Sequence, residues 1–376
     1  VRTMQRWIED EEERRGYVRT KTPLMAKSDL YKISGHWDHY KEGMFVLGDE
    51  DKDKEVFALR PMTCPFQYFV YKASQKSYRD LPIRYGETST LFRNEDSGEM
   101  HGLTRVRQFT ISEGHLIVRP DQMVEEFKGC LALAKYCLET LGVQSDVTYH
   151  LSKWDPANPG NKYIGEPEVW EQTEQHIRDV LNELGIPFVE DVGEAAFYGP
   201  KLDVLVKPAV GNEVALSTIQ LDFLLPRRFE LTYVNENGEK VTPVVIHRAI
   251  LGSLDRFVAF LLEETKGDLP LWLAPQQFTV IPVNPNIHYE YARDLVDKMM
   301  KKGYRVKLDD RNEKIGYKIR EARLQKVPYM LVIGDSEVEN GAVAVRRRGE
   351  DGDLGAMKTE EFIAMAVEEI DTKKIK

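Results

Sequence analysis

Near residue 267 the chain changes rhythm, and that change limits its possible folds more than any other feature. Gly267 to Pro275 reads GDLPLWLAP. Proline has no amide hydrogen and clashes with a preceding helical turn, so no helix or interior strand is expected to run through the segment. Before it, apolar or alternating runs at 56–60, 83–84, 90–95, 103–111, 201–206, 214–223 and 241–247 read as strands. Helices are expected there at 1–15, 120–141, 168–184 and 249–265, the last with Leu251, Leu254, Phe257, Val258, Leu261 and Leu262 at helical spacing. After it, strands at 279–283, 305–308, 329–333 and 342–347 alternate with helices at 288–302, 313–326 and 358–369. Strands in long runs with inserted helices favour α+β on an antiparallel sheet, and regular alternation favours α/β with a mixed sheet. The expectation is an α+β domain over 1–270 and a smaller α/β domain over 271–376. A chain of 376 residues is also long for a single core.

No run approaches the roughly 20 apolar residues of a membrane-spanning helix. The opening VRTMQRWIEDEEERRG lacks the apolar stretch of a signal peptide, so a cytoplasmic location is expected. Cys64, Cys130 and Cys137 are odd in number and form no CxxC pair, which argues for reduced thiols. The net charge of −10 excludes a uniformly cationic nucleic-acid binder. Residues 301–348 nonetheless hold 13 Lys and Arg against 7 Asp and Glu, so RNA contact in the C-terminal part would begin there.

The stretch LFRNEDSGEMHGLTRVRQF (91–109) places Arg93, Glu95 and Arg105 around a polar loop between two apolar segments. Taken alone it is a charged hairpin, whose ion pairs are worth about 0–1 kcal/mol each. Read with two other segments it resembles the second signature motif of class II aminoacyl-tRNA synthetases. Tyr17 to Pro23, after the first helix, resembles their first motif, and GSLDRF (252–257) resembles their third. Three weak motifs in order, on suitable elements, reinforce one another. A finer resemblance, to the threonyl-tRNA synthetase family, runs through GHWDHY (35–40), RPMTCP (60–65), EGH (113–115), FYGPK (197–201), STIQLDF (217–223), VIHRAILGS (245–253), RNEKIGYKIR (311–320), VPYMLVIGD (327–335) and GAVAVRRR (341–348).

The resemblance implies a catalytic domain followed by an anticodon-binding domain, with threonine, ATP and threonine tRNA as partners. Joining a carboxylate to a triphosphate needs fixed positive charge and orientation more than a base, and arginine grips phosphate oxygens without deprotonating. Arg93 would hold the α-phosphate and the reacting carboxylate, Arg256 the γ-phosphate, and Arg105 the bent triphosphate. The adenine would lie between Phe109 and Arg256, with Glu95 accepting from its amino group. Mg2+ would accompany ATP, and Lys201 would lie near carboxylate or phosphate. Met62, Glu113, Tyr198, Gln220 and Ser253 would line the amino-acid pocket. At 111–113 the chain reads Ile-Ser-Glu where the family more often has amide and aspartate residues, so Glu113 reaches the pocket on a longer arm. His36 would accept a proton near the terminal ribose. By its residues alone Phe109 reads first as a core strand aromatic, and His36 equally as a structural histidine beside Trp37.

Cys64, His115 and His247 are 51 and 132 residues apart and show no local metal signature. Each matches the family at a metal-ligand position, which implies one Zn2+ with an open place for substrate. Threonine can chelate through its amino and hydroxyl groups and isosteric valine cannot, a discrimination of about 10⁴ or more. Serine lacks only one methyl, worth roughly 10–200-fold. With no editing domain ahead of residue 1, serine is expected to be activated and seryl-tRNA to accumulate. Asn312, Glu337 and Arg346 match the anticodon readers, and Lys314 and Lys318, one turn apart, would sit near phosphate or form a solvated face. The first motif implies a homodimer. The chain opens inside that motif's helix, so a preceding segment is expected in the natural protein.

Overall fold

Eight strands from the first 260 residues pair into one sheet, and the way they alternate decides where the polar residues gather. The structure is a computed structural model and describes residues 1–143, 147–157, 163–207, 213–349 and 353–375. It divides into two units, Val1–Phe260 and Leu261–Lys376, a division inside the helix Leu254–Glu264, upstream of the Gly267–Pro275 stretch.

In chain order the strands of the first unit's sheet are β1 (Val18–Arg19), β2 (Ile83–Phe92), β3 (Gln108–Val118), β4 (Val147–Lys153), β5 (Val189–Val192), β6 (Lys201–Val206), β7 (Val214–Asp222) and β8 (Val244–Ser253). Their spatial order is β1-β2-β3-β8-β7-β6-β4-β5. The six central strands are antiparallel and only the two edge pairs are parallel, which matches the expected α+β class. Side chains alternate across the pleat. Leu116, Val118, Leu151, Leu202, Ile219, Leu221, Val244 and Ile246 face helices α3 (Met123–Thr140) and α4 (Pro167–Glu183), joining Phe127, Leu131, Ile177 and Leu181 in the core. The opposite face holds Tyr85, His115, Gln220 and His247, covered in part by helix α2 (Cys64–Lys72).

Several expected boundaries move, each for a local reason. The candidates at 83–84 and 90–95 are two ends of the single strand β2, hidden because its buried face carries Glu87 and Ser89 rather than apolar side chains. The strand expected from 103 starts at Gln108, because His101 and Arg105 close a tight loop through paired backbone bonds of 3.0 and 3.1 Å. Residues 249–253 continue β8 instead of opening a helix: Ala249 pairs with Glu113 and Ser253 with Ile111, and helix α5 begins only at Leu254. Helix α2 was not expected, since its nine residues include four aromatics and Pro65.

On the helical face of the sheet, Gly86, Gly114 and Arg248 stand opposite one another on three neighbouring strands. The Arg248 side chain crosses the two glycines, stacks on Tyr17 at 4.4 Å, and donates from Nη1 to Glu12 Oε1 at 2.6 Å. Glu12 lies on helix α1 (Arg2–Arg14). A Cβ on Gly114 would meet Tyr85 O at 2.2 Å and Arg248 Nη2 at 2.8 Å.

The second unit has strands β9 (Phe278–Pro282), β10 (Val306–Leu308), β11 (Tyr329–Ile333), β12 (Ala342–Arg347) and β13 (Asp353–Lys358), in the order β10-β9-β11-β12-β13. The first three are parallel and the last two antiparallel to their neighbours, giving the expected mixed sheet. Helices α6 (Pro285–Lys301) and α9 (Thr359–Asp371) cover one face around Phe278, Tyr329 and Phe362. Helix α7 (Ile315–Leu324) covers the other around Ile281 and Met330. A short helix, α8 (Asp335–Asn340), links β11 to β12.

Gly114→Ala should lower stability by about 1–3 kcal/mol through overpacking, whereas Gly129→Ala, in helix α3 with open space around it, should raise it by up to about 1 kcal/mol. Urea unfolding followed by circular dichroism checks both directions.

Candidate active site

Two adjacent rows of side chains run across the polar face of the large sheet, and they form the floor of the site. The first is Tyr85, His115, His247, Gln220, Lys201 and Ser152, each opposite the next on β2, β3, β8, β7, β6 and β4. The second, two residues along each strand, is Glu87, Glu113, Ala249, Thr218, Asp203 and His150. A cavity of about 350 Å³ opens over them. Every active-site residue expected from the sequence lines it, except His36.

At one end stand the arginines. Arg93 follows β2, and its guanidinium lies over the Phe109 ring at 5.1 Å. Its Nε is buried and finds no hydrogen-bond partner among the described residues, a donor aimed at no acceptor of the protein. Arg105 Nε donates to Glu95 at 2.9 Å. Arg256 Nε donates to the Thr104 carbonyl at 3.0 Å, and its backbone amide to Ser253 Oγ at the start of α5. Burial, then repulsion from Arg93 and Arg105, holds the Arg256 guanidinium below its usual range. Cations crowded this way, at the cost of mutual repulsion, suit a polyanion.

Further along, Lys201 donates to Asp203 at 2.6 Å, and the same carboxylate accepts from Ser152 at 2.9 Å and Thr218 at 2.7 Å. Asp203 and Thr218 escaped the sequence reading, although each lies two residues from a named position, on the same face of its strand. Tyr198 donates to Gln220 Oε1 at 2.6 Å and lies against the His247 ring.

At the far end, helix α2 delivers Cys64 at its first residue. The candidate ligand atoms of Cys64, His115 and His247 lie within 4.8 Å of one another, and all three residues are buried. Burial, and then the nearby Glu113 and Asp222, push the Cys64 thiol well up. Burial holds His115 well below the usual imidazole range, hence neutral. One sulfur and two imidazoles converging in a closed, polar corner fit a tetrahedral, borderline-soft cation. Glu113 is buried, is held above the usual carboxylate range by desolvation, and accepts a hydrogen bond from Thr63.

His36 stands behind this wall. Its Nε2 contacts Met62 Sδ at 2.9 Å, its Nδ1 meets Ser34 Oγ at 2.7 Å, and Phe197 packs edge-on against the ring. Burial first, then His247, Arg93 and Arg228, push it down to about 3.

In the second unit, Asn312 is exposed just beyond β10. Glu337 caps α8 by accepting from the Gly334 amide at 2.9 Å. Arg346 pairs with Asp353 at 3.1 Å and keeps a buried Nε without a partner among the described residues. Lys314 is exposed, but Lys318 is not a surface cation: only 1% exposed, it donates to the Asp309 carbonyl at 3.0 Å. Its position on α7 turns it into the sheet, where strand-end carbonyls take its hydrogens.

Residues 45–265 match the tRNA synthetase class II core domain (G, H, P, S and T), and residues 277–369 match the anticodon binding domain. The chain belongs to the class II tRNA synthetases. It is 58% identical over its full length to the threonine–tRNA ligase of Clostridium botulinum (strain Eklund 17B / Type B), and 49% identical over 98% of its length to threonine–tRNA ligase 1 of Bacillus subtilis (strain 168). It spans 58% and 56% of those proteins. The crystal structure of the RNA binding domain of threonyl-tRNA synthetase from Cryptosporidium parvum Iowa II is also similar, with a TM-score of 0.91 and 34% identity over 98% of this chain and 90% of that one.

Because His36 is pushed down to about 3 from an ordinary value of 6.5, the unfolded chain takes up a proton below 6.5 that the folded chain refuses. Stability is complete above that pH and is lost as pH falls toward 3. The His36→Gln variant should lose stability less steeply across that window in urea titrations at stepped pH.

Proposed function

We propose that the chain ligates threonine to its tRNA at the expense of ATP, through a threonyl-adenylate, and that a zinc ion selects the amino acid. The observation that supports this best is the cavity with a triad of arginines at one end and a Cys/His/His cluster at the other. It offers an anion site and a ligand site within one small-molecule volume.

The threonine carboxylate attacks the α-phosphorus of ATP; a P–O bond forms, the bond to the β-phosphate oxygen breaks, and pyrophosphate leaves. Arg93 orients carboxylate and α-phosphate, and its unpaired Nε is suited to that charge. Arg256 and Arg105 hold the remaining phosphates, with Mg2+ as ATP's companion. Glu95 accepts from the adenine amino group beside Phe109. Lys201, steadied by Asp203, faces the reacting anions. Cys64, His115 and His247 would hold Zn2+, whose remaining coordination would be open to the amino and β-hydroxyl groups of threonine as a chelate, which valine, lacking the hydroxyl, could not form. Met62, Glu113, Tyr198, Gln220 and Ser253 complete the pocket. Transfer to the terminal ribose follows; His36, the acceptor that the family resemblance implies, is buried behind the cavity wall against Met62 and would serve only once that contact opens. In the second domain, Asn312, Glu337 and Arg346 would read the anticodon. The working form is a cytoplasmic homodimer built on the segment 1–23, where Leu24, Met25 and Phe69 leave apolar surface exposed nearby.

Amino-acid-dependent ATP–pyrophosphate exchange tests this. Threonine should support exchange, serine should lag by roughly 10–200-fold, and valine by about 10⁴ or more. Arg93→Ala or Arg256→Ala should lower the rate by about 10²–10³-fold. Exchange with another amino acid and none with threonine would refute the reading. Separately, elemental analysis should find one zinc per chain, and Cys64→Ser should lose zinc and threonine exchange together.

A further inference from the structure

We infer that a buried ion pair outside the cavity, Arg60 with Glu87, sets the tautomer of His115 through a hydrogen-bond relay, while Asp222 sets the opposite tautomer of His247. The relay begins at a carboxylate that can only accept. Glu87, 3% exposed, takes hydrogen bonds from Arg60 Nη1 at 3.1 Å, the Thr22 amide at 3.1 Å and Thr20 Oγ1 at 2.8 Å. Thr20 has one hydroxyl hydrogen, and Glu87 receives it. Its lone pairs are left to face Gln67, whose Nε2 stands 2.7 Å away.

The relay resolves an assignment that heavy-atom positions leave open. An amide can be built either way round, but only an NH2 toward Thr20 makes that contact a hydrogen bond. The Gln67 carbonyl oxygen then meets His115 Nδ1 at 2.6 Å, and the contact is a bond only if the hydrogen sits on Nδ1. His115 Nε2 is therefore the bare nitrogen. At His247 the logic is shorter. Asp222 Oδ1 accepts the amides of Leu224 and Leu225 at 2.8 and 2.9 Å, and Oδ2 meets His247 Nε2 at 2.8 Å. The hydrogen lies on Nε2, and Nδ1 is bare. Tyr68 supports this arrangement, donating to Asp222 Oδ2 at 3.4 Å.

Two imidazoles in opposite tautomers each offer one lone pair beside the Cys64 thiol. Thr20, Glu87, Gln67 and Asp222 are positioning residues, since none of them lines the cavity. Only what the bare nitrogens bind rests on the zinc reading; the tautomers do not.

The test uses metal-free protein labelled with ¹⁵N in its histidine rings, of which there are 8, with assignment by single histidine substitutions. Two-bond ¹H–¹⁵N correlations should show His115 as the Nδ1–H form and His247 as the Nε2–H form. In Thr20→Val the His115 pattern should move toward the other tautomer while that of His247 stays. Zinc affinity, from chelator competition, should then fall by about 10–100-fold with all three ligands intact. Thr20→Ser keeps the hydroxyl and should restore both readouts. An unchanged His115 tautomer in Thr20→Val would overturn the inference. If the wild type shows both tautomers but takes up no zinc, the relay stands and the metal reading falls.

Discussion

The antiparallel ladder of the large sheet is the constraint on which the site depends. Pairing fixes which residues stand opposite one another, and a slip of one residue would turn every side chain to the other face. His115, His247, Gln220 and Lys201 come from four strands and as many as 132 residues of chain, yet they form one row because their partners are set by backbone bonds. The site needs no long loop to assemble it. The ligand cluster and the arginines are held at opposite ends of a rigid surface, which suits a reaction that depends on orientation more than on proton transfer.

Elements whose local pattern agrees with their burial were legible in the sequence. Strands 201–206, 329–333 and 342–347 fall where their alternating or apolar runs place them, and Gly16, at φ +78°, ends helix α1 as a left-handed stop. The reading failed where function fills a buried face with polar groups. Strand β2 looked broken because Glu87 and Ser89 sit where a core would put leucine. Residues 249–253 satisfied helical spacing and strand burial equally well, and the ladder to β3 decided between them.

The site was legible unevenly. The expected arginines, candidate metal ligands and pocket residues stand out because each sits in a motif that resembles the family's, and the cavity gathers all of them but His36. The supporting residues were not legible. Gln67, Thr20 and Asp222 act through contacts over as many as 48 residues, and nothing in their own surroundings in the sequence marks them. Lys318 shows the opposite failure. Spacing made it half of a surface pair, but helix α7 carries it inward, where carbonyls at strand ends replace water.

The trough formed by Gly86 and Gly114 has a consequence for how the chain can vary. Arg248 fits only because both glycines lack side chains, Glu12 answers its charge, and its neighbour in sequence, His247, belongs to the site. Gly114 is fixed by the Tyr85 carbonyl, which would lie 2.2 Å from any Cβ there, whereas a Cβ on Gly86 would meet only the Glu12 and Arg248 side chains. A neutral residue at 248 would leave the Glu12 carboxylate buried without a counterion, so positions 12, 86 and 248 can drift together but not singly, as one heritable unit spread over helix α1 and two strands.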